Sequence, residues 1–168
     1  MPLALTDPRW EDLRSSYGDT KDTVAILTQA YQEGLSSESL GNLVNEVQHQ
    51  GDTSSAMYAV APHLVELAQR RPDEALDLLT FAGLIYSDAT KPGAVPCPEF
   101  LENDFTEFAK QGARLLCPLL ITNIDFHQYK WAVTALSGFL GHQNFAQFLE
   151  QLDYHDGQFT HGVLDKPE

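Results

Sequence analysis

Residues 47–68 read VQHQGDTSSAMYAVAPHLVELA, which is the pattern of one helix ending and another beginning. Gly51 follows a polar cluster and marks the turn between the two helices. The second helix is strongly apolar and carries Pro62 in its interior. A proline there removes one backbone hydrogen bond and bends the helix, at a cost of about 3 kcal/mol if nothing compensates. Because the apolar stripe continues on both sides of Pro62, the pattern predicts one bent helix.

The same helical spacing extends over most of the chain. Apolar residues recur at steps of three and four from Trp10 to Leu152, and no segment shows the sustained alternation typical of a strand. The pattern therefore predicts an all-α fold of about eight helices. The helix over 73–86 is apolar nearly all round, so we expect it to be the most buried element.

Residue types that favour helix N-termini precede several of these stripes. Asp7 stands before the first one and Ser36 before the third. Asp52, Thr53 and Ser54 are all N-cap types, and they predict the start of the fourth helix.

Length and charge restrict the classes of protein that the chain can belong to. The 168 residues suit a single helical domain over 1–153, followed by a polar C-terminal tail over 154–168. Ten Lys and Arg stand against 24 Asp and Glu, for a formal net charge of -14. Such a surface repels phosphate backbones and anionic lipids, so we expect neither a nucleic-acid nor a membrane partner. It favours a basic partner, or it serves only to keep the protein in solution.

Other features predict a cytoplasmic location. No run approaches 18 consecutive apolar residues, and the N-terminus lacks the pattern of a signal peptide. Cys97 and Cys117 stand beside prolines in apolar surroundings. Two cysteines in this setting predict reduced, buried thiols rather than a disulfide framework.

Two segments of the chain resemble each other. Ala61-Pro62-His63-Leu64 aligns with Cys117-Pro118-Leu119-Leu120, and Gly83 aligns with Gly138. The two prolines are 56 residues apart and the two glycines 55. This near-constant offset predicts a stack of helical hairpins in which neighbouring pairs share one core. A glycine on the apolar side would let two helix backbones approach closely.

At this point the chain resembles HEAT-like repeat proteins, and more narrowly a group of small bacterial ones. The resemblance covers roughly residues 9–90 and is carried by Trp10-x-x-Leu13-x-x-x-Tyr17-Gly18, His49-Gln50-Gly51 and Ala61-Pro62. It implies an α-α superhelix and usually a protein-binding role. Some HEAT-like proteins are DNA glycosylases with basic channels, an activity that the charge of -14 disfavours.

Candidate binding residues fall in two places. The turn that contains Gln48, His49, Gln50 and Asp52 is the most unusual polar string, and it suggests a recognition surface or a ligand pocket. The alternative interpretation is a helix C-terminus in which Gly51 is the cap and His49 complements the helix dipole. Trp131 lies off the apolar stripe of its helix, so it faces an adjacent helix, a groove or a partner.

Motifs for catalysis and for metal binding are absent from the sequence. There is no Gly-x-Ser-x-Gly, no glycine-rich phosphate loop and no His-Glu-x-x-His. Tyr154, His155, Asp156 and His161 are close in sequence, but their spacing matches no metal motif. We therefore expect no catalytic residue, no metal ligand and no cofactor.

The leading hypothesis is a non-enzymatic interaction module or scaffold that binds a protein or peptide. One alternative is an acidic immunity-type protein that neutralises a basic toxin. Another is a small-molecule or metal-dependent enzyme built around His49 and Asp52. The oligomeric state is left open.

Overall fold

The structure is a computed structural model that describes residues 1–49, 52–122, 125–155 and 158–161. Over these residues the chain is all-α, as predicted, with seven α-helices and three short 3-10 helices. The α-helices are α1 Lys21–Glu33, α2 Ser37–Val47, α3 Met57–Arg70, α4 Ala75–Ala89, α5 Glu102–Leu119, α6 Phe126–Phe139 and α7 Gln143–Glu150. The 3-10 helices are Pro8–Asp12, Pro72–Glu74 and Glu99–Leu101.

Four short strands accompany the helices in the described residues. They are β1 Gln48–His49, β2 Asp52–Thr53, β3 Leu152–His155 and β4 Gln158–His161. β1 pairs antiparallel with β2, and β3 with β4. The second pair lies across the start of the predicted polar tail. The periodicity did not indicate these strands because runs of two to four residues are too short to show alternation.

Two of the predicted caps are confirmed. The Asp7 carboxylate accepts a hydrogen bond from the Arg9 N–H at 2.9 Å, at the start of the first 3-10 helix. The Ser36 hydroxyl accepts one from the Ser39 N–H at 3.1 Å and begins α2. Each bond satisfies a backbone donor that the helix itself leaves without a partner.

The predicted start of the fourth helix is wrong. Asp52 and Thr53 belong to β2, and α3 begins only at Met57. The Ser54 hydroxyl does not cap α3 but donates a hydrogen bond to Val47 O, the last carbonyl of α2, at 3.0 Å. Ser54 therefore connects the end of β2 to the C-terminal end of α2, where the last carbonyl groups need hydrogen-bond donors.

α3 is the most buried helix. The prediction that the helix over 73–86, which is α4 in the structure, would be the most buried element is therefore wrong. Every residue from 57 to 65 is buried, and α3 packs against both α4 and α5. Pro62 lies inside this one helix, as predicted. α4 instead leaves Leu76, Phe81 and Leu84 partly exposed along one face.

α4 packs closely against α6 at the two aligned glycines. A Cβ added to Gly83 would lie 2.6 Å from the Ala135 Cβ. A Cβ added to Gly138 would lie 2.3 Å from Gly83 O. The prediction of a close approach at these glycines is therefore confirmed.

The two aligned prolines, in contrast, occupy different positions in their helices. Pro118 lies in the last turn of α5, whereas Pro62 lies well inside α3. The HEAT-like arrangement stays a prediction.

His63 connects the N-terminal segment to α3 through a hydrogen bond. Its Nε2 is 2.9 Å from Leu3 O, and its Nδ1 is 2.8 Å from the Tyr31 hydroxyl. Because a carbonyl only accepts, Nε2 carries the hydrogen and Tyr31 donates to Nδ1. The Trp10 ring stacks on the imidazole with centroids 6.0 Å apart. Burial lowers the pKa of His63 from 6.5 to about 4, although the hydrogen bond to Leu3 opposes the shift.

Both thiols are free, but they are less buried than predicted. Cys117 is exposed on α5, and Cys97 is only partly buried. Burial, with a smaller contribution from Glu102, raises the pKa of the Cys97 thiol to about 11. Among the described helices, none is long and apolar enough to cross a membrane.

Candidate functional site

A groove runs along the outer face of α4. Its floor is formed by Leu76, Thr80, Phe81, Leu84 and Asp88, which recur at steps of one, three and four and so share one face. α2 forms one wall and α6 the other. Three cavities follow one another along this face and share lining residues, so they form one continuous depression, here named the α4 groove.

One end of the α4 groove is apolar. A cavity of about 400 Å³ lies there between α4 and α6, above Leu76, Phe81 and Leu84. Trp131 of α6 forms its wall and is partly buried. The indole Nε1 of Trp131 donates a hydrogen bond to His127 Nε2, one helical turn away, at 3.1 Å. The indole is thus held at the edge of the cavity with its polar atom satisfied.

Lys130 also contacts Trp131. Its ammonium lies 4.7 Å from the centroid of the indole ring. The same ammonium donates hydrogen bonds to the carbonyls of Glu150, at 3.2 Å, and Leu152. A cation at these carbonyls complements the negative end of α7 and ties α6 to that helix. Lys130 therefore fixes the wall of the groove.

The other end of the α4 groove is polar. The Gln48 amide donates a hydrogen bond to the Asp88 carboxylate, which joins β1, directly after α2, to α4. The Lys91 ammonium forms ion pairs with Asp88 and, at 3.3 Å, with Glu150 of α7. Burial lowers the pKa of Lys91, but the bonds and charges of Asp88 and Glu150 outweigh it and raise the pKa overall. Beyond this cluster, a wider cavity of about 700 Å³ extends towards Val95.

Carboxylates exceed cations along the lining of the groove. Asp88 and Glu150 share the single charge of Lys91. Asp77 is exposed at the apolar end, and in the part of the chain that the structure describes it has no ion-pair partner. The groove therefore places an apolar cavity next to uncompensated negative charge.

The structure divides the predicted binding residues between two places. Gln48 and Trp131 line the same cavity of about 240 Å³ in the middle of the α4 groove, although they are 83 positions apart in the chain. His49 lies elsewhere, with its Nδ1 3.0 Å from the Tyr17 hydroxyl. Asp52 pairs with His49 through the backbone of the ribbon. Gln50 lies outside the described residues.

The helix-cap interpretation of the turn is wrong for His49. α2 ends at Val47, and the Gln48 N–H already donates to Val44 O at that end. His49 belongs to β1 and contacts Tyr17 instead of the terminal carbonyls. The turn at Gly51 itself lies outside the described residues.

Sequence reasoning missed the residues of the groove floor. The apolar pattern over 73–86 predicts that Leu76, Phe81 and Leu84 belong to the core, because apolar residues occur on nearly every side of the helix. The signal that could have identified the open face is the set of polar positions Asp77, Thr80 and Asp88. They lie close to one line along a helix, and a fully buried helix tolerates few such residues.

No described group of three His, Cys, Asp or Glu side chains is placed to hold a metal ion, within 1–49, 52–122, 125–155 and 158–161. Comparison with known protein families, with curated proteins and with solved structures finds no match for this chain. The chemistry of the α4 groove is therefore the basis for assigning a function.

Proposed function

We propose that this protein is a non-enzymatic binding module whose α4 groove holds a segment of a basic partner protein. The observation that carries the proposal is the apolar cavity beside Trp131, with the carboxylates of Asp77, Asp88 and Glu150 along the same groove. The matching segment presents one apolar side chain to the cavity and Lys or Arg to the carboxylates.

The apolar end supplies affinity. Burying a Leu- or Phe-sized side chain contributes about 1.5–3 kcal/mol. Trp131 is well suited as an anchor, because its ring is already positioned by His127 and Lys130 and loses little freedom on binding. The cavity of about 400 Å³ has room for one such side chain with part of its backbone.

The acidic charge provides selectivity for basic partners and increases the rate of association. A formal net charge of -14 attracts a basic protein and repels an acidic one before contact. This attraction weakens as ionic strength rises, because salt screens charges beyond about 10 Å at 0.1 M. We therefore expect association to slow in salt, while the apolar contact persists.

Two finer statements belong to the same proposal. The α-α hairpin pattern and the resemblance to bacterial HEAT-like proteins support a scaffold role in the cytoplasm, where the two thiols stay reduced. A basic toxin neutralised by this chain is a special case of a basic partner, and only the net charge supports it. A toxin gene next to this one would favour that case, and an isolated gene would count against it.

The test is selection of random displayed peptides on the full chain. We expect the selected peptides to carry an apolar residue near Lys or Arg. Trp131→Ala should weaken their binding at least about tenfold, in line with the loss of a central aromatic anchor. Asp77→Asn should weaken it less and reduce its salt dependence.

A matched control comes from the same helix. Tyr129 of α6 is an exposed aromatic side chain that does not line the groove, so Tyr129→Ala should leave peptide binding unchanged. Thr80→Arg, on the groove floor, should block binding without removing core volume. Selected peptides that are acidic, or that bind Trp131→Ala and Thr80→Arg as well as the unaltered chain, would refute the proposal.

A further inference from the structure

Another cavity, of about 400 Å³, lies outside the α4 groove, between the paired strands β1 and β2 and the segment that precedes α1. Its wall holds Arg14, His49 and five hydroxyl side chains, and we call it the hydroxyl pocket. Three chain segments meet there: the Arg14 N–H donates to Ser55 Oγ at 2.8 Å, and the Ser16 N–H donates to Glu46 O at 2.6 Å. The hydroxyl pocket is thus a product of tertiary packing.

Most hydroxyls of the pocket have a hydrogen available to donate. The oxygens of Ser15, Thr53 and Ser55 already accept backbone N–H groups at 3.2, 3.2 and 2.8 Å. Their O–H groups have no acceptor among the described residues. Ser54 differs, since its hydroxyl donates to the carbonyl of Val47. A hydroxyl carries one donor, so three donors remain without an assigned acceptor.

Ser16 strengthens this pattern. Its hydroxyl oxygen is buried and has no hydrogen-bond partner among the described residues. Leaving such a group without a partner is unfavourable, and native structures tolerate this where a ligand or water completes the bond. Ser16 is among the residues that line the same cavity as the three other donors.

Positive charge and a ring nitrogen complete the wall. The guanidinium of Arg14 donates from Nη1 to the carbonyls of Glu11 and Leu13, both at 3.3 Å, so its remaining N–H groups have no described partner. His49 also lines the pocket, and its Nδ1 is 3.0 Å from the Tyr17 hydroxyl. The described wall contains no carboxylate, in a chain that has 24.

We propose that the hydroxyl pocket binds the oxyanion group, phosphate or carboxylate, of a small molecule. An excess of O–H and N–H donors beside a guanidinium is matched by a group that only accepts hydrogen bonds and carries negative charge. This site is separate from the α4 groove, and it stands whether or not the groove binds a peptide.

The experiment titrates inorganic phosphate, and separately acetate, into the isotopically labelled full chain at constant ionic strength. Amide chemical shifts of Ser15, Ser16 and Ser54 should change and saturate with at least one of the two. Arg14→Gln should weaken the affinity about tenfold, because a charge-assisted hydrogen bond is lost. Lys21→Gln removes the same charge outside the pocket and should change the affinity less than about twofold.

Ser16→Ala provides a test that does not depend on Arg14. It removes an oxygen that has no partner, so the chain should fold normally while its affinity for the anion falls about tenfold. Saturation by phosphate alone assigns the natural ligand to phosphorylated compounds, and saturation by acetate assigns it to carboxylates. Absence of saturation with both, or equal affinities in Arg14→Gln, Ser16→Ala and Lys21→Gln, would overturn the proposal.

Discussion

Acidification should destabilise this protein through His63 before most carboxylates titrate. The imidazole is 3% exposed, and the folded state keeps it neutral with a pKa of about 4, against 6.5 for a free side chain. Between these two values the unfolded chain binds a proton that the folded chain does not. The free energy of unfolding therefore falls as the pH decreases from about 6.5, and this loss ends near pH 4.

The difference of about 2.5 pKa units corresponds to about 3 kcal/mol in total. About 2 kcal/mol of this is lost between pH 7.5 and pH 5, where most Asp and Glu side chains are still ionised. A loss of this size is a large fraction of the total free energy of unfolding, which is roughly 5–15 kcal/mol for a folded domain.

The assay is urea unfolding at pH 7.5, 6.5, 5.5 and 5.0, on the unaltered chain and on His63→Gln. The variant should be less stable at pH 7.5, because the stack on Trp10 is lost. Its free energy of unfolding should change less with pH than that of the unaltered chain, by about 2 kcal/mol over this range. A proton NMR titration of the His63 ring supplies an independent reading of its pKa. Parallel pH profiles for the two proteins, together with a ring pKa near 6.5, would refute the reasoning.

Two further predictions concern packing and thiol reactivity. Gly83→Ala should lower the free energy of unfolding by about 2 kcal/mol or more, because its Cβ would overlap Ala135. Gly41→Ala, in α2 with open space around it, should raise it by about 0.5–1 kcal/mol, and thermal unfolding compares the two. Equal effects of the two substitutions would contradict the close contact of α4 with α6. With a chromogenic disulfide at pH 8, Cys117 should react quickly and Cys97 slowly, because Cys97 is partly buried and its pKa is about 11. Cys117→Ser should remove the fast phase, and a fast phase that persists in this variant would contradict the assignment.

The accuracy of the sequence predictions depended on how local the determining interactions are. The caps Asp7 and Ser36 were predictable because each side chain bonds to a backbone group two or three residues away. Asp52, Thr53 and Ser54 are the same residue types, but strand pairing and the carbonyl of Val47 compete for them. A residue type that favours a cap does not reveal which partner it will have.

The candidate site shows the same limit. Gln48 and Trp131 were selected separately, one as part of a polar turn and the other as an aromatic residue off its stripe, and the structure places them in one cavity. The polar pattern of the turn grouped His49 with Gln48, but successive residues of a strand point to opposite faces, and His49 contacts Tyr17. The polar positions on α4 can be read from the sequence. That they mark an open groove follows only from the tertiary structure, in which α2 and α6 leave this face of α4 uncovered.

The sequence by itself determined that the chain is helical, where several helices begin and end, and that Gly83 and Gly138 would allow close contact. These properties follow from apolar periodicity and local hydrogen bonds, both of which can be read from the order of residues in the chain. The tertiary structure decided that α3 and not α4 is enclosed, that α4 keeps an open groove, and that Arg14, His49 and the serines surround one pocket. Periodicity shows that a face is buried but not what covers it, and the bond from Arg14 to Ser55 spans 41 residues.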